Sequence, residues 1–170
     1  MEQGPVRDRP SGSGRVGALH LMVGRVAMRV AGLARAPLSL GVRLVALDAR
    51  GWVFLVRHSY VPGLHLPGGA VDADESCAAA AEREAREEGG LVLAGPPALF
   101  HVYWNRGGGR RDHVVLYVAR GVAQARPPAP SLEILSAGFH PPDALPEDVT
   151  PATRDRLAEV LGGRPPSERW

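Results

Sequence analysis

Glu84, Glu87 and Glu88 stand three and four residues apart, the spacing that gathers side chains on one face of an α-helix. Carboxylates crowded into one arc repel one another strongly unless a cation lies among them. Oxygen donors in that arrangement suit a hard divalent metal, and such metals commonly serve phosphate chemistry. The flanks are as specific as the cluster. Gly69 is followed after five residues by Glu75, and after seven more by Arg83-Glu84; Gly89-Gly90-Leu91 closes the run. The competing reading is a solvated helix face laced with ion pairs such as Arg83–Glu87. The glycines at both ends of the run weigh against it.

A carboxylate helix needs a frame. Residues 42–48 and 52–57 read as two strands joined by a tight turn at Asp48-Ala49-Arg50-Gly51, and both are nearly continuous apolar runs, as in a sheet covered on both faces. Residues 64–66 form a short extended piece that Pro67-Gly68-Gly69 must end. The pattern predicts a helix over 75–89 with Asp74 as N-cap and Gly89-Gly90 as its stop. Further strands are predicted at 99–104, 113–119 and 133–139, with a glycine-rich loop from Asn105 to Asp112 and a Pro-rich connector at 124–130. A last helix over 150–161 starts at Thr150-Pro151.

Composition narrows the function classes. The chain has 170 residues, 45% of them apolar, enough for one domain with short extensions. All 20 basic residues are arginine, which reads as compositional bias. Residues 1–43 carry a balance of +5 and the remainder −3, so a nucleic-acid-coating surface on the main domain is disfavoured. A single cysteine, Cys77, excludes an intrachain disulfide and fits a reducing compartment. The apolar stretch near residues 16–24 is broken by Arg25 and Arg29 before it could serve as a secretory signal or a membrane span. The cytoplasm is the expected location.

The run from Gly69 to Leu91 matches the Nudix box, and the chain is identified as resembling the Nudix hydrolases. All seven fixed Gly, Glu and Arg positions are present; Ala85 stands where the family prefers a bulkier aliphatic residue, which bears on local packing and leaves the ligands intact. The wider resemblance runs from about residue 38 to 161. It implies an α/β fold, an α/β/α sandwich with a mixed central sheet and a loop–helix–loop metal site. It implies Mg²⁺ or Mn²⁺ as cofactor and a nucleoside diphosphate linked to another moiety as the small-molecule substrate. By residue matching the metal ligands are Glu84, Glu87 and Glu88, with a backbone carbonyl at Gly69 or its neighbour, while Glu75, Arg83, Gly68 and Gly90 are structural. Glu88, Glu87 and Glu133 are the catalytic candidates, Glu88 being preferred over Glu133 as general base.

Substrate contacts are sought among Arg57, His58, Tyr103, Trp104 and Arg106, with His113 as a further donor to phosphate; for the aromatic residues core packing is the favoured alternative. The domain is expected over 38–163, with a tail at 1–14, a basic amphipathic helix over 15–37 and a second tail at 164–170. Packing of that helix on its own domain or on a homodimer partner is favoured over contact with a membrane surface. Two alternatives to hydrolysis of a small nucleotide stay open: a nucleotide-binding module without turnover, and a hydrolase of RNA 5′ ends.

Overall fold

The structure, a computed structural model, describes residues 38–105, 111–127 and 132–170. The tail at 1–14, the amphipathic helix at 15–37 and Arg106 lie outside the described residues. From Leu38 onward the chain forms one compact unit. It contains strands β1 (Leu38–Leu47), β2 (Val53–His58), β3 (Leu64–His65), β4 (Leu91–Val92), β5 (Ala98–Asn105), β6 (Arg111–Arg120), β7 (Ala123–Gln124) and β8 (Ile134–His140), and helices α1 (Cys77–Gly89) and α2 (Pro151–Gly162).

The main sheet runs β3-β2-β1-β6-β5, with β8 on the other edge of β2. β1 and β6 are parallel over ten residue pairs, and the other neighbours are antiparallel, so the sheet is mixed. Asp48 makes the β1–β2 hairpin: its Oδ1 accepts from Arg50 N–H and Trp52 N–H, while Gly51 takes a φ of +81° that other residues resist. Both faces are covered, as the apolar runs imply. Val45, Leu47, Val53 and Leu55 point into a core with Leu157 of α2, while Leu44, Ala46, Phe54 and Val56 point into a second core with Ala85 of α1. The strict alternation places the two helices on opposite faces. The sandwich expected from the sequence is the fold observed.

One irregularity shapes everything that follows. β1 and β2 share a single register pair, Leu47 with Val53, and then diverge. The gap is filled by the loop before α1. Leu44 N–H donates to Pro67 O, Val42 N–H to Gly69 O, and Val71 N–H to Leu40 O. Residues 67–71 thus run beside β1 as an irregular strand, although their Pro and Gly content reads as a chain break.

The predicted elements hold with shifts of a few residues: β1 starts at Leu38 rather than residue 42, and α1 starts later than the sequence suggests. The helix begins at Cys77 with Ser76 as N-cap, its hydroxyl accepting from Ala79 N–H at 3.1 Å; Asp74 does not cap it. Glu75 is the reason. Its carboxylate faces Arg83 and accepts from Asp72 N–H, so the chain around it stays a turn and the helix starts two residues later. Residues 164–170, set apart as a tail in the sequence, are hydrogen-bonded onto β5: Trp104 N–H donates to Glu168 O and Trp170 N–H to Trp104 O. No helix among the described residues is long and apolar enough to cross a membrane.

Candidate active site

Small side chains bring α1 down onto the sheet. Ala80, Ala81 and Ala85 are fully or almost fully buried, so the helix backbone lies close to β1 and β2 and its adjoining face carries Glu84 and Glu88 toward the loop at Gly68-Gly69. This accounts for Ala85: a larger residue would stand the helix off Phe54 and Val56. Gly90 ends the helix at φ +60°, its N–H capping Arg86 O and Ala85 O. A side chain there would overlap Arg126 O.

The three glutamates have three different surroundings. Glu88 is buried, 8% exposed, and its Oε2 accepts from Gly68 N–H at 2.9 Å. Glu84 is half-buried against Gly69, where an added Cβ would sit 2.4 Å from its Oε1. Glu87 is exposed. Arg83 gathers Glu75 at 2.6 Å, Glu84 at 2.8 Å and Glu87 at 3.3 Å, and also donates to Ala70 O. It braces the loop–helix–loop and holds two of the three carboxylates at once. The pair with Glu75 is reciprocal, holding the Glu75 carboxyl below its ordinary range.

Glu88 shows the opposite effect. Burial pushes its pKa up to about 7, helped by the like charges of Glu84 and Glu133; the Gly68 N–H and the Arg43 guanidinium work the other way and do not win. Beside it lies His58, 3% exposed, with Nε2 3.5 Å from Glu88 Oε1. Burial, then the nearby charge of Arg43, pushes His58 down to about 4, so at neutral pH this contact is not an ion pair. Arg43 itself donates to Leu66 O and Gly68 O, pinning the loop from β1. Tyr60 is 70% exposed, its ring 5.1 Å from that of His58. Despite that exposure, partial desolvation raises its phenol, and so do the charges of Glu88, Glu133 and Glu84. Neither Arg43 nor Tyr60 stands out in the sequence.

The donor set fits a hard divalent cation. It offers carboxylate oxygens, and one of them is buried beside like charge with too little positive charge to keep it ionised. Among the described residues no three acidic, histidine or cysteine side chains already converge on one point, because Arg83 draws Glu84 and Glu87 aside. Gly69 O accepts from Val42 N–H and faces β1. Its visible contribution is therefore the room it leaves for Glu84, with one carbonyl lone pair remaining. Glu133 is exposed and precedes β8, where its carbonyl accepts from Ser59 N–H.

The expected substrate contacts scatter. Alternation along β2 sends Arg57 and His58 to opposite faces. Arg57 pairs with Asp148 on the α2 face, where it lines a groove of about 310 Å³ with residues of β8. His58 is packed behind Glu88 and presents no open face to a phosphate. Tyr103, a stacking candidate, is fully buried on the α2 face: its hydroxyl donates to Glu159 Oε2 at 2.6 Å and the Arg156 guanidinium lies 4.2 Å over its ring. This corrects the stacking expectation in favour of packing. Tyr103→Phe is expected to lower stability by about 1–3 kcal/mol by leaving the buried Glu159 short of a donor, with no change in KM; thermal unfolding and steady-state kinetics check it. Trp104 lies on edge strand β5, 40% exposed, its ring 5.8 Å from the Arg169 guanidinium. His113 is partly buried, its Nδ1 without a hydrogen-bond partner.

A different set of residues forms a groove beside the loop. Ser39, Gly41, Arg43, Gly69, Asn105, Asp112 and Trp170 line a space of about 340 Å³. Asp112 accepts from Ser39 Oγ–H and Asn105 Nδ2–H. Sequence reasoning missed this groove, since its walls come from β1, β5, β6 and the last residue; only the polar termini of two apolar strands hint at it.

Comparison with known proteins agrees with this geometry. The family model of the NUDIX domain matches residues 37–160. A MutT NUDIX hydrolase from Burkholderia pseudomallei is 26% identical, with 74% of this chain and 99% of that chain covered at a TM-score of 0.63. An ADP-ribose pyrophosphatase from Streptococcus suis is 24% identical, with 78% and 95% covered at 0.55. A NUDIX hydrolase from Nitrosomonas europaea is 20% identical, with 75% and 91% covered at 0.61. No curated protein sequence gives a significant match. With the carboxylate helix, its glycine loop and the sandwich all in place, the chain belongs to the NUDIX domain family.

Proposed function

We propose that this protein hydrolyses the diphosphate bond of a nucleoside diphosphate derivative, using a divalent cation held by Glu84, Glu87 and Glu88. The observation that carries this reading is Glu88: a buried carboxylate pushed to about 7 by its surroundings and by Glu84 and Glu133, on a helix packed against the glycine loop. Mg²⁺ or Mn²⁺, when bound, supplies Lewis acidity, neutralising phosphate oxygens and making water a stronger acid. The chain's own residues do the rest. Arg83 releases Glu84 and Glu87 to the cation while keeping its existing hold on Glu75 and Ala70 O. Glu88 is the first candidate to accept the proton of the attacking water, through an oxygen lone pair that the cation leaves free, with Glu133 the second candidate from across the site. The groove lined by Asn105, Asp112 and Trp170 offers an aromatic ring and a carboxylate–amide pair on which a nucleoside can dock beside Gly69.

The test is a panel of nucleoside diphosphate sugars, ADP-ribose, dinucleoside polyphosphates, nucleoside triphosphates and a 5′-triphosphorylated RNA, incubated with Mg²⁺ or Mn²⁺ and read by phosphate and mononucleotide release. Turnover of at least one nucleoside diphosphate derivative, abolished by chelation, is expected. Turnover of the RNA alone would replace the substrate class. Binding by calorimetry without turnover would replace the enzyme by a nucleotide-sensing module. Within the active enzyme, Glu133→Gln is expected to slow kcat less than Glu88→Gln does; the reverse order would make Glu133 the general base.

A further inference from the structure

We propose that His58 is the positioning residue for Glu88, its Nε2–H hydrogen-bonding Oε1 of the carboxylate; the inference rests on the reading of Glu88 as a cation ligand. His58 ends β2 on the face toward α1 and is 3% exposed, yet neither ring nitrogen has a hydrogen-bond partner. Buried polar atoms are rarely left so. Two rings lie against it, that of Tyr60 at 5.1 Å and that of His65 at 6.0 Å. His65 does not serve it: its Nε2 faces Pro62 O at 3.0 Å, and no hydrogen bond joins the two rings. Nε2 of His58 instead faces Glu88 Oε1 at 3.5 Å, a gap that a small rotation closes, as catalytic hydrogen bonds commonly tighten on loading.

The chemistry selects one tautomer. With the hydrogen on Nε2, the imidazole donates to an ionised Glu88. With it on Nδ1, a nitrogen lone pair would oppose the carboxylate oxygen and a buried N–H would have no acceptor. The Nε2–H form makes a clamp. Gly68 N–H holds Oε2 at 2.9 Å and His58 holds Oε1, so each oxygen keeps a lone pair whose direction is fixed. Such outer partners orient a ligand and raise its affinity for the ion.

The experiment uses the full chain with His58→Leu, which removes the donor, and His58→Gln, whose amide nitrogen reaches the same place. Long-range ¹H–¹⁵N spectra of the wild-type imidazoles, recorded well above pH 7 where Glu88 is ionised, report the tautomer without any cation. Binding of Mn²⁺ to cation-free protein is followed by electron paramagnetic resonance, and kcat and KM are measured separately. The expected results are an Nε2–H tautomer, Mn²⁺ binding about 10–100-fold weaker in His58→Leu, a matching fall in kcat with KM for the nucleotide little changed, and recovery of most of the loss in His58→Gln. An Nδ1–H tautomer overturns the proposal. So does a His58→Leu protein that binds Mn²⁺ like wild type, or a folded His58→Gln protein no better than His58→Leu. If His58→Leu does not fold, the glutamine variant and the tautomer decide. Wild-type protein that binds no Mn²⁺ would sink the cation reading and this inference with it; normal wild-type binding with an indifferent His58→Leu sinks this inference alone.

Discussion

Glu88→Gln is expected to lower kcat/KM by about 10²–10⁴-fold while making the cation-free protein more stable at pH 8. The two effects have one origin. Burial raises the Glu88 carboxyl from 4.5 to about 7, so the folded state binds its proton more tightly than the unfolded chain does. Stability contributed by that proton is present below about pH 4.5, is lost as pH rises toward 7, and stays lost above it. The full difference is about 3 kcal/mol at pH 8. Glutamine has the same shape, keeps an oxygen for Gly68 N–H, and carries no charge to desolvate. Thermal melts of both proteins at pH 5 and pH 8, with and without Mn²⁺, separate the contributions. Wild type should gain stability from the ion at pH 8 and the glutamine variant should gain little. A variant that keeps a tenth of the activity, or melts below wild type at pH 8 without the ion, would contradict the assignment.

Gly68→Ala is expected to destabilise the fold by about 4 kcal/mol or more, beyond the ordinary cost of a point change. Gly68 has φ +142°, and a Cβ there would lie 2.1 Å from Val42 O and 2.9 Å from Arg43 Cα. Both are backbone atoms of β1, so no side chain can swing aside. The loop must leave β1, which also withdraws Gly68 N–H from Glu88. Gly95→Ala is the control: its Cβ would meet nothing within 4 Å, and its stability should stay within about 0.5 kcal/mol of wild type. Differential scanning calorimetry of the two variants measures the contrast. A Gly68→Ala protein that melts like wild type would mean that the close approach to β1 is not required.

The parts of the site that could be read in the sequence are those encoded by local spacing. Glu84, Glu87 and Glu88 share a helix arc whatever surrounds them, and the glycines mark where backbone approaches backbone. Strand-length apolar runs marked a sheet covered on both faces, and the sandwich itself was implied by the resemblance to the Nudix hydrolases. Residues whose role depends on distant partners were not readable. Arg57 and His58 are neighbours in the chain, but the pleat sends one to Asp148 and the other behind Glu88. Tyr103 carries the same ring whether it stacks on a ligand or hydrogen-bonds Glu159, and only the arrival of α2 decides. Asp112, Asn105 and Trp170 meet because β1, β6 and β5 lie side by side and residues 168–170 fold back onto β5. Asp74 and Ser76 are equally good caps; the pull of Arg83 on Glu75 chooses between them.

The loop at residues 67–71 takes its hydrogen bonds from β1, the strand that pairs along its whole length with β6. Elements that carry ligands are often the first to open, melting locally while the rest of a protein stays folded. Here the amides of Val42 and Leu44 would lose their acceptors if the loop opened, and both belong to buried residues of the central strand. Opening the site and breaching the core are therefore one event. In hydrogen-exchange terms, these amides should open with the free energy of global unfolding, and heat should abolish activity at the temperature that unfolds the domain rather than below it.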